Sequence, residues 1–288
     1  MGNGGFHVEA MSLEQLREVI GWAQAEGWET GMHDAEAFYS IDPDGFFAGV
    51  LDGELVASVS ALIYDKRYAF MGLYLVKEKH RGKGYGKAIW DAAMSYLEKR
   101  GVACAGLDGV IEQVGNYEKS GFVSAYDNVR FVYEVDGSEK GLPTVFGVTG
   151  DVVPQLAKLD AMLSPEERAG FCEKWLGIMG TGAVYWSDHM HGDVRGYAAL
   201  REGKTGYRLG PWYAHDVTVA AELFEGAAHW AGVGRRLFVD VPGCHEEGLR
   251  LMESRGAKRI GEFRRMYKGG QPSVDVKQIF GERSVEVG

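Results

Sequence analysis

Residues Lys77–Lys87 read K-E-K-H-R-G-K-G-Y-G-K, with five bases and one acid. Gly82, Gly84 and Gly86 remove side chains where the backbone turns, so freed N–H groups can point at an anion. A helix starting here adds the positive end of its dipole. The chemistry is that of a phosphate cradle; the plainer alternative is a tight turn carrying solvated lysines. Two common nucleotide loops fit poorly. The P-loop pattern G-x-x-x-x-G-K-[ST] is absent, and the third glycine of G-x-G-x-x-G falls on Lys87. That weakens the dinucleotide reading, but Asp108, near the place of a ribose-binding acid, keeps it from being erased.

The flanking patterns predict a strand before this segment and a helix after it. Tyr68–Val76 reads as a strand. Ile89, Trp90, Ala93, Met94 and Leu97 recur at helical spacing from Gly86 to Arg100, and Gly101 closes the helix. Upstream, Ser12 with Gln15 forms a capping box for a first helix, and a second short helix lies near Asp34–Tyr39. Strands are expected at Phe46–Leu51 and Leu55–Tyr64, joined by the hairpin signal Asp52-Gly53. Then come a strand at Val102–Leu107, a short helix around Tyr117, and two strands at Phe122–Tyr126 and Val129–Val135. The order is α-α-β-β-β-α-β-α-β-β, a mixed α/β layer with one strand–helix–strand crossover.

The motif R-x-x-G-x-G at Arg81, Gly84 and Gly86 resembles the acetyl-coenzyme A loop of the GCN5-related N-acetyltransferases (GNAT). The likeness extends to L-Y-L-V at Leu73–Val76, the helix after the loop, and N-Y-E-K-S-G-F at Asn116–Phe122, and spans about residues 6–135. It implies a central, mostly antiparallel twisted sheet flanked by helices. It also implies acetyl-coenzyme A as co-substrate, with no metal. The backbone of Leu75 and Val76 would pair with the pantetheine arm like an added strand. Arg81, Gly82, Lys83, Gly84, Tyr85, Gly86 and Lys87 would hold the pyrophosphate. Asn116 would touch the pantetheine region, and Tyr117 would protonate the leaving thiolate. A phenol suits that role, because its ordinary pKa of about 10 keeps the proton on at neutral pH. A core aromatic on a short helix is the plainer role for Tyr117.

No motif singles out a base. Asp34, Asp108, Glu112 or a water chain would serve, and an α-amino-like acceptor with pKa near 8 is partly neutral already. In this family the first helix–loop–helix usually lines the acceptor pocket. That implies Trp28, His33, Asp34 and Phe38, with Trp22 and Tyr39 beside them and Tyr126 from a later strand. Asp34 would attract an ammonium, and Trp28 would stack on a ring or a cation. Each of these aromatics is otherwise an ordinary core residue.

Asp136–Gly141 reads as a linker, after which the pattern partly recurs. A shift of 135 positions lays Gly121 on Gly256 and Asn116–Phe122 on Leu251–Ala257. Helices are expected at Val152–Leu163, Ala220–Ala231 and His245–Ser254, with another opened by Ser164-Pro165-Glu166-Glu167. Strands are expected at Ala183–Trp186, Gly196–Leu200, Tyr207–Leu209 and Arg236–Val241. This half lacks the working parts: Leu209–Trp230 holds no G-x-G, Arg or Lys, and Met252 stands where Tyr117 would. The expected layout is a catalytic domain at 1–136, a linker at 137–144, a degenerate GNAT-like domain at 145–270 that helps close the acceptor site, and a tail at 271–288. The apolar pair Ile279-Phe280 lets that tail dock on its own chain or on a partner.

Composition narrows the partners. The chain has 288 residues, 45% hydrophobic, and a net charge of -10 from 41 acids and 31 bases. That balance speaks against non-specific nucleic-acid binding, which needs a basic face. No run of 18 apolar residues exists. Cys104, Cys172 and Cys244 form no C-x-x-C pair and read as reduced, buried thiols of a cytoplasmic protein. M-G-N-G-G-F has Phe6 where a myristoylation signal wants Ser or Thr. His189 and His191, between Asp188 and Asp193, read as a hairpin turn rather than a metal site. The expected activity is transfer of acetyl to a primary amine of a small molecule, an amino sugar such as glucosamine first and a polyamine next, by direct attack in a ternary complex. A protein lysine or N-terminal acetyltransferase and a non-catalytic acyl-coenzyme A sensor are the alternatives.

Overall fold

The computed structural model describes residues 5–164, 169–177 and 181–288. The first half runs β1 (Phe6–Ala10), α1 (Leu13–Ala25), α2 (Asp34–Tyr39), β2 (Phe46–Leu51), β3 (Glu54–Ile63), β4 (Tyr68–Val76), α3 (Tyr85–Arg100), β5 (Cys104–Val110), α4 (Val114–Lys119) and β6 (Val123–Glu134). The second half follows the same order: β7 (Val145–Gly147), α5 (Val153–Met162), α6 (Ala169–Leu176), β8 (Thr181–Trp186), β9 (Gly196–Glu202), β10 (Tyr207–Ala214), α7 (Val217–Ala231), β11 (Arg236–Pro242), α8 (Glu246–Ser254) and β12 (Lys258–Lys268). A last strand, β13 (Ile279–Gly281), belongs to the tail. Among the described residues no helix is long and apolar enough to cross a membrane.

All the strands form one sheet in the order β1-β2-β3-β4-β5-β12-β6-β11-β10-β9-β8-β7, with β13 added beside β10. The two halves exchange their last strands. β12 of the second half lies between β5 and β6, and β6 of the first half pairs with β11. Pairing is antiparallel except at β4–β5 and β10–β11, where α3 and α7 make the crossovers. Helices α3 and α7 bury Ile89, Trp90, Ala93 and Leu97, and Val219, Leu223 and Phe224, in separate cores of the two halves.

Local signals are obeyed closely. The Ser12–Gln15 capping box is complete at α1. Asp52 and Gly53 take φ of 52° and 87° in the hairpin, and Gly101 caps α3 at φ 67°. Three expectations are corrected. The chain opens with an edge strand, β1, before the first helix, and a matching short strand, β7, opens the second half. The strands expected at Phe122–Tyr126 and Val129–Val135 are one strand, β6. The polar pair Asp127-Asn128 continues the strand because both side chains find partners: Asp127 meets the Arg264 guanidinium, and Asn128 Nδ2 donates to Asp108 Oδ1 at 3.0 Å. Pro165–Glu167 lies outside the described residues.

Candidate active site

The site begins where two parallel strands part. β4 and β5 pair from Tyr68↔Cys104 to Met71↔Leu107 and no further. Beyond that point β5 diverges from β4 while keeping β12 on its other side, from Ala105 opposite Lys268 through Asp108 opposite Arg265 to Val110 opposite Phe263. Gly72–Val76 therefore has a strand edge with no β5 partner. Within it Leu73 takes φ 47°, unusual for a branched residue, and its carbonyl accepts a 2.6 Å hydrogen bond from buried Ser58 Oγ. The β3–β4 register slips beside it.

The edge leads into the glycine loop. Gly82 and Gly84 take φ of 75° and 87°, and Gly84 is the N-terminal cap of α3. The first intrahelical bond runs from Ala88 N to Gly84 O at 3.1 Å, which leaves the preceding N–H groups of the turn free to bind an anion. A Cβ at Gly86 would stand 2.7 Å from Tyr74 Oη, so glycine lets the helix start close over that phenol. Arg81 is aimed by its Nε bond to Val76 O at 2.9 Å and by an ion pair with Glu26 at 2.5 Å.

Strand edge, loop and helix start enclose a cavity of about 460 Å³. Its wall includes Leu75, Val76, Arg81, Gly82, Gly84, Gly86, Lys87 and Tyr117. Lys83 and Tyr85 stand off the wall, and Tyr85 stacks on Phe6 at 4.4 Å. Asn116 is exposed, bonded to Gln113 Oε1 at 2.7 Å and Lys119 Nζ at 3.1 Å; Gln113 is on the wall in its place. Tyr117 is buried against Trp90, with ring centroids 5.4 Å apart, and any side chain at Gly109 would overlap its ring. Burial, with help from the neighbouring Tyr74, pushes its phenol well above the ordinary value, which favours the protonated form at neutral pH.

Of the acceptor candidates, the cavity takes only Trp28. Asp34 is buried against the Arg201 guanidinium and accepts from Gly31 N at 2.8 Å, so its charge is spent within the fold. Phe38 stacks on Trp175 in the core, and His33 is half-buried off the wall. Tyr126 donates to Glu282 Oε1 at 3.3 Å, away from the cavity. Among the base candidates, Glu112 is exposed and off the wall, whereas Asp108 lines it. Burial pushes the Asp108 carboxyl up to about 6, against the pull of the Arg265 guanidinium that it binds at 2.6 and 2.8 Å. His191 lies 2.7 Å from Asp151 on an exposed loop.

Several wall residues carried no sequence signal. Phe263 comes from the exchanged strand β12 and Val285 from the tail. Arg130 on β6 ties this region together. It binds Asp240 at 2.7 and 2.9 Å, donates to Trp28 O at 2.8 Å, and lies 4.5 Å over the Phe263 ring. Tyr74 and His80 also line the wall. Tyr74 sits within the L-Y-L-V run, where a strand alternation count would have found it.

Family models agree with this architecture. Residues 13–122 match the Acetyltransferase (GNAT) family and residues 156–281 an Acetyltransferase (GNAT) domain. A holothin acyltransferase of Pseudoalteromonas sp. (strain SANK 73390) is 34% identical over 277 residues, 96% of this chain and 92% of its own. The chain belongs to the GNAT family. It is a two-domain member and an acyltransferase. The GNAT fold is shared with a putative acetyltransferase of Pyrococcus horikoshii, at TM-score 0.81 and 19% identity over 100% of this chain and 98% of the other. It is shared too with a tandem GNAT protein from the clavulanic acid biosynthesis pathway, at TM-score 0.67 and 11% identity over 93% and 100%.

Proposed function

We propose that this GNAT chain transfers a short acyl group, acetyl first, from acyl-coenzyme A to a primary amine of a small molecule, using the first half's cleft. One observation carries the proposal: an unpaired strand edge runs from a glycine-turned helix start to a buried, protonated phenol in a single cavity. Gly82, Gly84, Gly86 and the start of α3 offer N–H groups to the pyrophosphate, with Arg81 and Lys87 beside them. The edge of Gly72–Val76 offers the backbone groups a pantetheine arm needs.

A neutral amine attacks the thioester carbonyl, and a C–N bond forms. The C–S bond then breaks, and Tyr117 gives its proton to the leaving sulfur. Water takes the proton released by the nitrogen, to solvent or on to Asp108, whose buried carboxyl is bound by Arg265 and Asn128, and Tyr117 regains one from solvent. The thioester needs no covalent enzyme intermediate in this scheme, since Cys104 lies off the cavity wall.

Trp28 and Phe263 make much of the wall apolar, and Asp34 is unavailable to an ammonium. An acceptor like that of the holothin acyltransferase is therefore tested ahead of glucosamine and polyamines. The experiment is thiol release from acetyl-coenzyme A against holothin, glucosamine, spermidine and a lysine peptide. Turnover with one small amine supports the proposal. Coenzyme A bound without thiol release on any of them would favour a sensor, and release on the peptide alone a protein acetyltransferase.

A further inference from the structure

The tail threads both halves of the molecule. In the second half β10 and β11 pair only at Tyr207↔Leu237 and Arg208↔Phe238, then part as β4 and β5 do. β13 fills that opening: Trp212 pairs with Gly281, Tyr213 with Ile279, and Glu282 N donates to Asp240 O at 2.8 Å. The chain then crosses to the first half. On the way Glu282 Oε2 lies 3.3 Å from Arg265 of the exchanged strand β12, and the Arg283 guanidinium lies 4.9 Å over the Phe171 ring of α6. Val287 O accepts from Tyr64 Oη at 2.6 Å, and Gly288 N donates to Ser284 O at 3.0 Å. Val285, held from both sides, is buried and faces the cavity.

Its position along the cleft decides what it touches. The glycine loop is at one end; the opposite end is the parting point, where Met71 still pairs with Leu107. From Val76 to Gly72 the strand covers about 13 Å at ~3.3 Å per residue. A ligand with phosphates on the loop and an arm along this edge brings its outermost atoms to the far end. There the wall is Met71, Leu107 and Val285, all apolar and buried. The carbonyl of Glu286 packs on Gly72, so the tail backbone closes the end as well.

We infer that residues 282–287 form the inner wall of the acyl site and that Val285 sets the size of the acyl group the enzyme accepts. The inference rests on the cofactor cleft proposed above. It assigns a specificity role in the first half's site to a segment that follows the second half in sequence.

The test is calorimetric binding of coenzyme A and of acetyl-, butyryl- and hexanoyl-coenzyme A to the full chain, needing no acceptor. Wild type, Val285→Ala, Val285→Leu and Val285→Phe are compared after a melting check. In Val285→Ala the longer acyl groups should gain on acetyl by about fourfold for each methylene newly buried. Val285→Leu and Val285→Phe should move the preference the other way, while free coenzyme A stays within about twofold of wild type in all. If Val285→Phe fails to fold, the alanine and leucine variants decide. An unchanged chain-length profile in the folded variants, with coenzyme A still bound, overturns the inference. Failure of wild type to bind coenzyme A overturns the cleft assignment itself.

Discussion

Gly72 on β4 and Gly210 on β10 occupy matching places in the two halves, and one stretch of tail crosses both. The carbonyl oxygen of Glu286 packs on Gly72 and that of Glu282 on Gly210, where any Cβ would overlap it. Alanine at either site must push the tail backbone. We expect Gly72→Ala and Gly210→Ala to cost about 1–3 kcal/mol each, as overpacking does. Urea unfolding of the two variants checks this; changes under ~0.5 kcal/mol, the scale of ordinary surface substitutions, would mean the crossing is slack.

The same strap predicts stoichiometry. With β13 filling the parting of β10 and β11, and no G-x-G or Arg/Lys between Leu209 and Trp230, the second half has no room for a pantetheine arm. A titration should therefore saturate at one coenzyme A per chain. Two equivalent sites would show that the strap leaves its cleft.

Tyr117→Phe keeps the ring against Trp90 and removes only the proton. We expect kcat to fall about 10²–10⁴-fold, the range for a lost general acid, with coenzyme A affinity nearly unchanged. A variant with wild-type kcat between pH 6 and 9 would take the acid role away from Tyr117.

Asp108 makes a sharper claim about pH. If it accepts the nitrogen's proton it must be ionised, so activity is lost as pH falls through about 6. An acceptor amine of pKa near 8 already gives log kcat/KM a slope of one below its own pKa. Below about 6 the wild-type slope should steepen to two, and Asp108→Asn should keep a slope of one. Identical acid limbs in both would assign the proton to water.

Asp240 anchors the junction of the halves. Burial alone would raise its carboxyl, but Arg130 and Arg208 together hold it well below the usual carboxylate range. A depressed folded value means its contribution is present above the unfolded value of 3.8 and is lost as pH falls below it. Asp240→Asn, leaving two buried guanidinium groups short of a partner, should cost about 3–5 kcal/mol at pH 7. The gap from wild type should narrow toward pH 3. A gap independent of pH would point to packing rather than charge.

What the sequence determined by itself was local. Three glycines among lysines and arginine must turn and expose N–H groups, whichever fold carries them. Capping at Ser12, the turn at Asp52-Gly53, the stop at Gly101 and the burial of Ile89, Trp90, Ala93 and Leu97 follow from contacts within a few residues. The repeat at 135 residues was legible for the same reason, since each half repeats its own order of elements. Tertiary structure decided the rest. An antiparallel strand is equally satisfied beside β5 of its own half or of the other, so nothing local told that β12 and β6 would change places. That exchange brought Phe263 to the cavity. Asp34 looked available because its partner, Arg201, lies 167 residues away, and Val285 was invisible because the tail's course depends on two gaps opened by distant parallel strands.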